Sequence, residues 1–191
     1  MDFPLMQKDL RDVFNDSKEG IAKSPELRRL MLERFLEIAG ALEWIQELGI
    51  VHRDVNPSNI LLSDDLNGPA YLADFGIAWM DGYHDDPDEG IVKYCSGVGT
   101  GYMSVLSLVS NCRPYRAPEL IFSPKDYGAE VDIWSFGCVV AELFTPKTRV
   151  FSDGAEDGGL GSDLVLLGSV ISTLGTPTSE TWPESERSSG M

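Results

Sequence analysis

Residues 51–62 read VHRDVNPSNILL. Apolar residues close both ends. Between them stand an imidazole, a guanidinium, a carboxylate and two amides. The aliphatic run Ile60 to Leu62 predicts a short strand. Tyr71 to Ala73 predicts a second strand, with the polar stretch SDDLNGP turning between them into a small hairpin. Upstream, Glu26 to Leu48 predicts a helix, with Ser24 as N-cap, Pro25 at the first helical position and Gly49 as the stop. Leu27, Leu30, Met31, Phe35, Ile38, Leu42 and Ile45 follow the spacing of one buried face.

Two more helices are predicted further on. Ala129 to Phe144 is apolar over most of its surface and belongs in the core. It ends at Thr145-Pro146. Leu164 to Leu174 is closed by Gly175 and Pro177. Loops fill the remainder: an acidic one at Asp81 to Glu89, a Gly-rich one at Ser152 to Ser162, and a polar tail from Glu184. His84 lies in the acidic loop and reads as solvated rather than as a metal ligand. Gly158 to Ser162 (GGLGS) has neither the preceding strand nor the following lysine of a phosphate cradle. The chain has no internal repeat.

The 191 residues suffice for one domain with a real core. Thirty-one acidic against fifteen basic side chains give a net charge of −16, which disfavours nucleic acid and anionic membrane as partners. No apolar run reaches the length of a membrane span, and the first residues lack the layout of a signal peptide. Cys95, Cys112 and Cys138 show no CxxC spacing and read as reduced thiols, as expected in the cytoplasm or nucleus.

Four motifs occur in order: HRDVNPSN at His52 to Asn59, ADFG at Ala73 to Gly76, YRAPEL at Tyr115 to Leu120, and VDIWSFGCVVAEL at Val131 to Leu143. Each alone is weak, but the ordered set resembles the large C-terminal lobe of the eukaryotic protein kinase family. The finer resemblance is to cyclin-dependent-kinase-like enzymes, through YRAPE with Arg116, GCVVAELF, and TLGTP followed by TWPE. It implies a mostly α fold with a small β-hairpin, spanning residues 1–183 as a partial kinase domain, followed by the polar tail 184–191. ATP and Mg²⁺ are the implied cofactors. The implied partners are a protein substrate and a cyclin or another kinase.

The resemblance also implies roles. Asp54 orients the acceptor hydroxyl or takes its proton, Asn59 and Asp74 hold Mg²⁺, Asp9 contacts the ribose, and Leu61 lies under the adenine or simply fills the core. His52 and Phe75 pack in a spine, Asp132 secures the backbone beside His52 and Arg53, and Arg53 grips an activating phosphate. Thr100 bonds Asp54, while Gly99 and Arg116 favour a proline after the acceptor residue. Glu119 pairs with a distant arginine.

The pattern also breaks. The N-terminal lobe is absent from the sequence, which opens near the hinge and has no GxGxxG loop, strand lysine or partner glutamate. Asn56 stands where most Ser/Thr kinases have a lysine that meets the γ-phosphate. Losing that charged hydrogen bond costs roughly 1.5–3 kcal/mol, or about ten- to a hundredfold in rate. The place of the activating phospho-threonine falls at Cys95. Either Ser96 substitutes or no phosphorylation is required, as in monomeric fungal kinases that activate cyclin-dependent kinases. No arginine matches Glu119. Removing Gly101 to Cys112 gives VGT-RPYRAPEL, so this uncharged segment reads as an insertion after Thr100. Two readings follow: an active Ser/Thr kinase, or an inactive fragment that only binds partners.

Overall fold

The computed structural model describes residues 6–64, 66–80, 113–122, 127–145, 149–155 and 161–182. In chain order these form β1 (Lys8–Asp9), α1 (Leu10–Lys23), α2 (Pro25–Glu47), β2 (Ile50–Val51), a 3-10 turn at Pro57–Asn59, β3 (Ile60–Leu62), β4 (Ala70–Leu72) and β5 (Trp79–Met80). Two further 3-10 turns follow at Arg113–Tyr115 and Pro118–Phe122, then α3 (Glu130–Phe144) and α4 (Asp163–Leu174). The fold is mostly helical with small sheets, as expected.

The long helix forms for the reasons its sequence suggests. The Ser24 hydroxyl accepts from the Leu27 amide at 3.3 Å, and Pro25 occupies the first turn. Gly49 takes φ 72°, a left-handed conformation that glycine adopts without strain. Met31, Phe35, Ile38, Leu42 and Ile45 are buried, with Leu27 and Leu30 packed at the margin of the same core. α4 ends in the same way, with Gly175 at φ 94° donating to the Ile171 carbonyl.

Helix α1 is not among the helices expected from the sequence, although its buried residues Leu10, Val13, Phe14 and Ile21 fall at helical spacing on one face. Its start is fixed by a capping box. The Asp9 carboxylate accepts from the Asp12 amide at 2.8 Å, and Asp12 accepts from the Asp9 amide. An aspartate replaces the usual Glu or Gln at the third position of that box.

The hairpin is real and gains a third strand. β3 lies between β1 and β4, all antiparallel, with Asp9 opposite Leu61 and Leu61 opposite Tyr71. β2 and β5 pair separately, Val51 opposite Trp79. The main core joins α1, α2, β3, β4 and α3. As expected, α3 lies within it, burying Val131, Asp132, Ser135, Cys138, Val139, Glu142 and Leu143. Burial pushes the Cys138 thiol up to about 12, so it stays protonated. The predicted acidic loop with His84, the insertion 101–112, and Gly99 and Thr100 lie outside the described residues.

Candidate active site

Asp132, at the start of α3, is fully buried beneath the loop that leaves β2. Its two oxygens accept from successive backbone amides, His52 at 2.7 Å and Arg53 at 2.8 Å. Burial raises its pKa, and the two amides oppose that shift. A buried carboxylate so satisfied can pin a strained turn. The strain is visible, since Arg53 has φ 69°, which is uncommon for a non-glycine residue.

His52 is completely buried and ties two segments together. Its Nδ1 accepts from the Asp54 amide at 3.3 Å, so its proton is assigned to Nε2, which donates to the Ala73 carbonyl at 2.9 Å. The Ala73 amide in turn donates to the Asn59 carbonyl at 2.9 Å. Asp74 therefore emerges directly beside the loop that carries Asp54 and Asn59.

The Asp54 carboxylate is held by amides on both sides. Asn56 Nδ2 donates to Asp54 Oδ1 at 3.0 Å, and Asn59 Nδ2 donates to Asp54 Oδ2 at 2.9 Å. Both amides also donate to the Asp54 carbonyl, at 3.1 and 2.8 Å. Asn56 has another duty, because its Oδ1 caps the Pro57–Asn59 turn through the Ser58 amide at 3.0 Å. The residue that sequence reasoning treats only as a lost lysine is therefore a strut of the loop.

With the Asn59 NH₂ turned onto Asp54, its oxygen remains an acceptor. Asp74, exposed and at φ 63°, supplies a carboxylate whose Oδ1 accepts from the Gly76 amide at 3.2 Å. No cluster of three His, Cys, Asp or Glu side chains suited to a metal occurs among the described residues. The amide oxygen and carboxylate are hard donors that suit Mg²⁺ shared with phosphates, which is bound by few protein ligands.

Other expected site residues differ in detail. Phe75 meets the His52 ring edge-on, centroids 4.7 Å apart, yet it is 44% exposed rather than buried in a spine. The His52 contact covers one side of the ring and leaves the rest open. Asp9 and Leu61 lie directly opposite on adjacent strands, so their side chains share one sheet face. Asp9 also caps α1, a role its motif did not suggest. The Arg53 Nε–H donates to the Ile77 carbonyl. Arg116 approaches Asp163 at 3.7 Å. Glu119 has no ion pair among the described residues, and burial, reinforced by Glu130, raises its pKa.

Two clusters escape local sequence reasoning. The Arg11 guanidinium donates to both Glu142 oxygens and to the Tyr115 hydroxyl, while the Tyr115 hydroxyl donates to Glu142 Oε2 at 2.6 Å. Burial pulls the Arg11 pKa down, but hydrogen bonding to Glu142 and the charges around it outweigh that and hold it above the usual range. Burial, with the Glu142 charge behind it, drives the Tyr115 phenol upward. The second cluster is Arg113, buried between Asp153 at 3.6 Å and Asp163 at 3.1 Å. The partners are tens of residues apart, so only a folded chain reveals them.

Comparison with known proteins agrees with this geometry. The family model described as "Protein kinase domain" matches residues 3–189. Serine/threonine-protein kinase csk1 of Schizosaccharomyces pombe is 44% identical over 149 residues, covering 78% of this chain and 43% of that protein. Cyclin-dependent kinase 7 of Xenopus laevis is 35% identical over 181 residues, covering 95% of this chain and 42% of that protein. The crystal structure of the yeast RNA Pol II CTD kinase CTDK-1 complex superposes with a TM-score of 0.68 at 25% identity, over 96% of this chain and 49% of the matched one. The chain spans less than half the length of the curated relatives it matches. With its catalytic-loop, ADFG and YRAPEL motifs in the expected order and its strained loop anchored on a buried aspartate, the chain belongs to the protein kinase domain family.

Proposed function

We propose that this chain supplies the catalytic-loop half of a Ser/Thr protein kinase of the cyclin-dependent-kinase-like type. The reaction is transfer of the ATP γ-phosphoryl group to a protein Ser or Thr hydroxyl, with proline preferred after the acceptor. The observation that carries this reading is the Asp54 carboxylate, gripped on both oxygens by Asn56 and Asn59 above a backbone pinned by Asp132. Such pre-set geometry is what phosphoryl transfer demands, because positioning and charge provide most of the catalysis. Asp54 orients the acceptor hydroxyl and receives its proton. Asn59 and Asp74 hold Mg²⁺, which when bound with ATP neutralises charge on the phosphates. Asp9 and Leu61 present one sheet face to the nucleoside. Thr100, Gly99 and Arg116 belong to the substrate side.

Residues 1–183 form one partial domain in this reading, with 101–112 inserted into the substrate-binding segment. The names of the relatives, a cyclin-dependent kinase and an RNA Pol II CTD kinase complex, support a cyclin partner and a nuclear location.

The test uses the purified 191-residue chain with radiolabelled ATP, Mg²⁺ and a Ser-Pro peptide. Transfer is expected to be slow, since the sequence has no GxGxxG loop or strand lysine to hold the phosphates, to be lost on Asp54→Asn and to rise when Gly101–Cys112 is deleted. Mg²⁺–ATP is also expected to raise the melting temperature. If neither transfer nor a nucleotide-dependent shift is seen, this reading is overturned in favour of a non-catalytic partner-binding lobe.

A further inference from the structure

A groove of about 490 Å³ opens where the end of α1, the start of α2 and the end of α3 converge. Lys18 and Lys23 of α1 and Arg28 of α2 line it, with Glu19 as the one acidic residue among the lining side chains. Its apolar side is Ala22, Leu143 and Phe144, and Phe144 is 63% exposed despite its size. The site described above, built on Asp54, Asn59 and Asp74, contributes no residue to this lining.

The charge of this groove runs against that of the molecule. The whole chain carries 31 acidic and 15 basic side chains, so its average field repels anions. Among the described lining side chains the balance is three cations to one anion. Lys23 is held only loosely. It pairs with Glu19 at 3.1 Å, and both side chains are more than three-quarters exposed. Surface pairs of this kind are worth little and exchange readily for another partner. Lys18 stands 6.0 Å from the centre of the Phe14 ring, and the Arg28 guanidinium donates to the Ala22 carbonyl. Arg28 is thereby set at the groove margin rather than spread into solvent.

We propose that this groove docks an acidic peptide segment of a partner protein, one that carries a large apolar side chain between its carboxylates. Charge complementarity selects the carboxylates. Phe144 and Leu143 receive the apolar side chain, in the way that an aromatic anchor within a polar rim organises an interface. The volume falls in the range of formed ligand sites.

The test is fluorescence anisotropy of the 191-residue chain with a labelled peptide in which Phe and Leu are spaced among glutamates. Saturable binding is expected, weakening as salt rises. Charge reversal of Lys18, Lys23 and Arg28 to Glu is expected to weaken it at least tenfold, and Phe144→Ser several-fold. A second variant set, Lys18→Gln with Lys23→Gln, keeps the experiment decisive if triple reversal perturbs folding as judged by circular dichroism. The proposal is overturned if the peptide does not bind, or if the neutralised and Phe144→Ser chains bind as tightly as the original. It is equally overturned if a peptide of glutamates and glycines alone binds as well, since charge without the apolar anchor then accounts for everything.

Discussion

Asn56 shows how much one side chain carries here. It donates to Asp54 through its NH₂ and caps the following turn through its oxygen. Asn56→Asp separates the two duties, because a carboxylate still accepts from the Ser58 amide but cannot donate to Asp54. Thermal stability is expected to fall, because the new carboxylate lies against that of Asp54 and two donated hydrogen bonds are lost. The transfer rate should fall about tenfold, corresponding to about 1.4 kcal/mol of lost positioning. An unchanged rate would show that the Asn56 contact does not position the base. Sequence alone flags position 56 as a departure from a family pattern. It does not show the second role, since the partner atoms are fixed by the loop's conformation.

At the scale of elements, the turn at Pro118–Phe122 carries a carboxylate with no ion pair among the described residues. Glu119 is partly buried, and the neighbouring charge of Glu130 on α3 adds to the penalty. Its folded pKa is raised, so the sign is the reverse of the usual carboxylate. In the window between the ordinary glutamate value and the raised one, the folded state holds the proton that the unfolded state has lost. Stability from this group therefore declines as pH rises through that window, and the penalty is fully present above it. Glu119→Gln is expected to raise Tm at pH 7.5 by about 1–3 °C and to have a smaller effect near pH 4. Equal effects at both values, measured by calorimetry, would count against the charge as the cause. Elements differ in how openly the sequence declares them. α2 was legible because cap, first-turn proline, apolar stripe and stop glycine agree. α1 was overlooked, although Leu10, Val13, Phe14 and Ile21 share one face, because its start rests on a two-aspartate box rather than on the usual cap with a Glu or Gln.

Across the whole molecule, Arg11, Tyr115 and Glu142 bind α1, the YRAPEL segment and α3 into one unit. Glu142 is fully buried, so removing its cation strands a charge. Arg11→Met is expected to cost about 3–5 kcal/mol in urea unfolding. The pair replacement Arg11→Met with Glu142→Leu should cost clearly less, because no charge is then left without a partner. A double variant as unstable as the single one would mean that packing, not charge, dominates. The primary sequence by itself determined the family resemblance, the long helix and the hairpin. Those features depend on short spacings and local turn chemistry. Only the tertiary structure decided that Asp132 reaches the amides of His52 and Arg53, that Glu142 meets Arg11, and that three cations border one groove. Such contacts join residues far apart in sequence, and their energy exists only once burial removes the competing water.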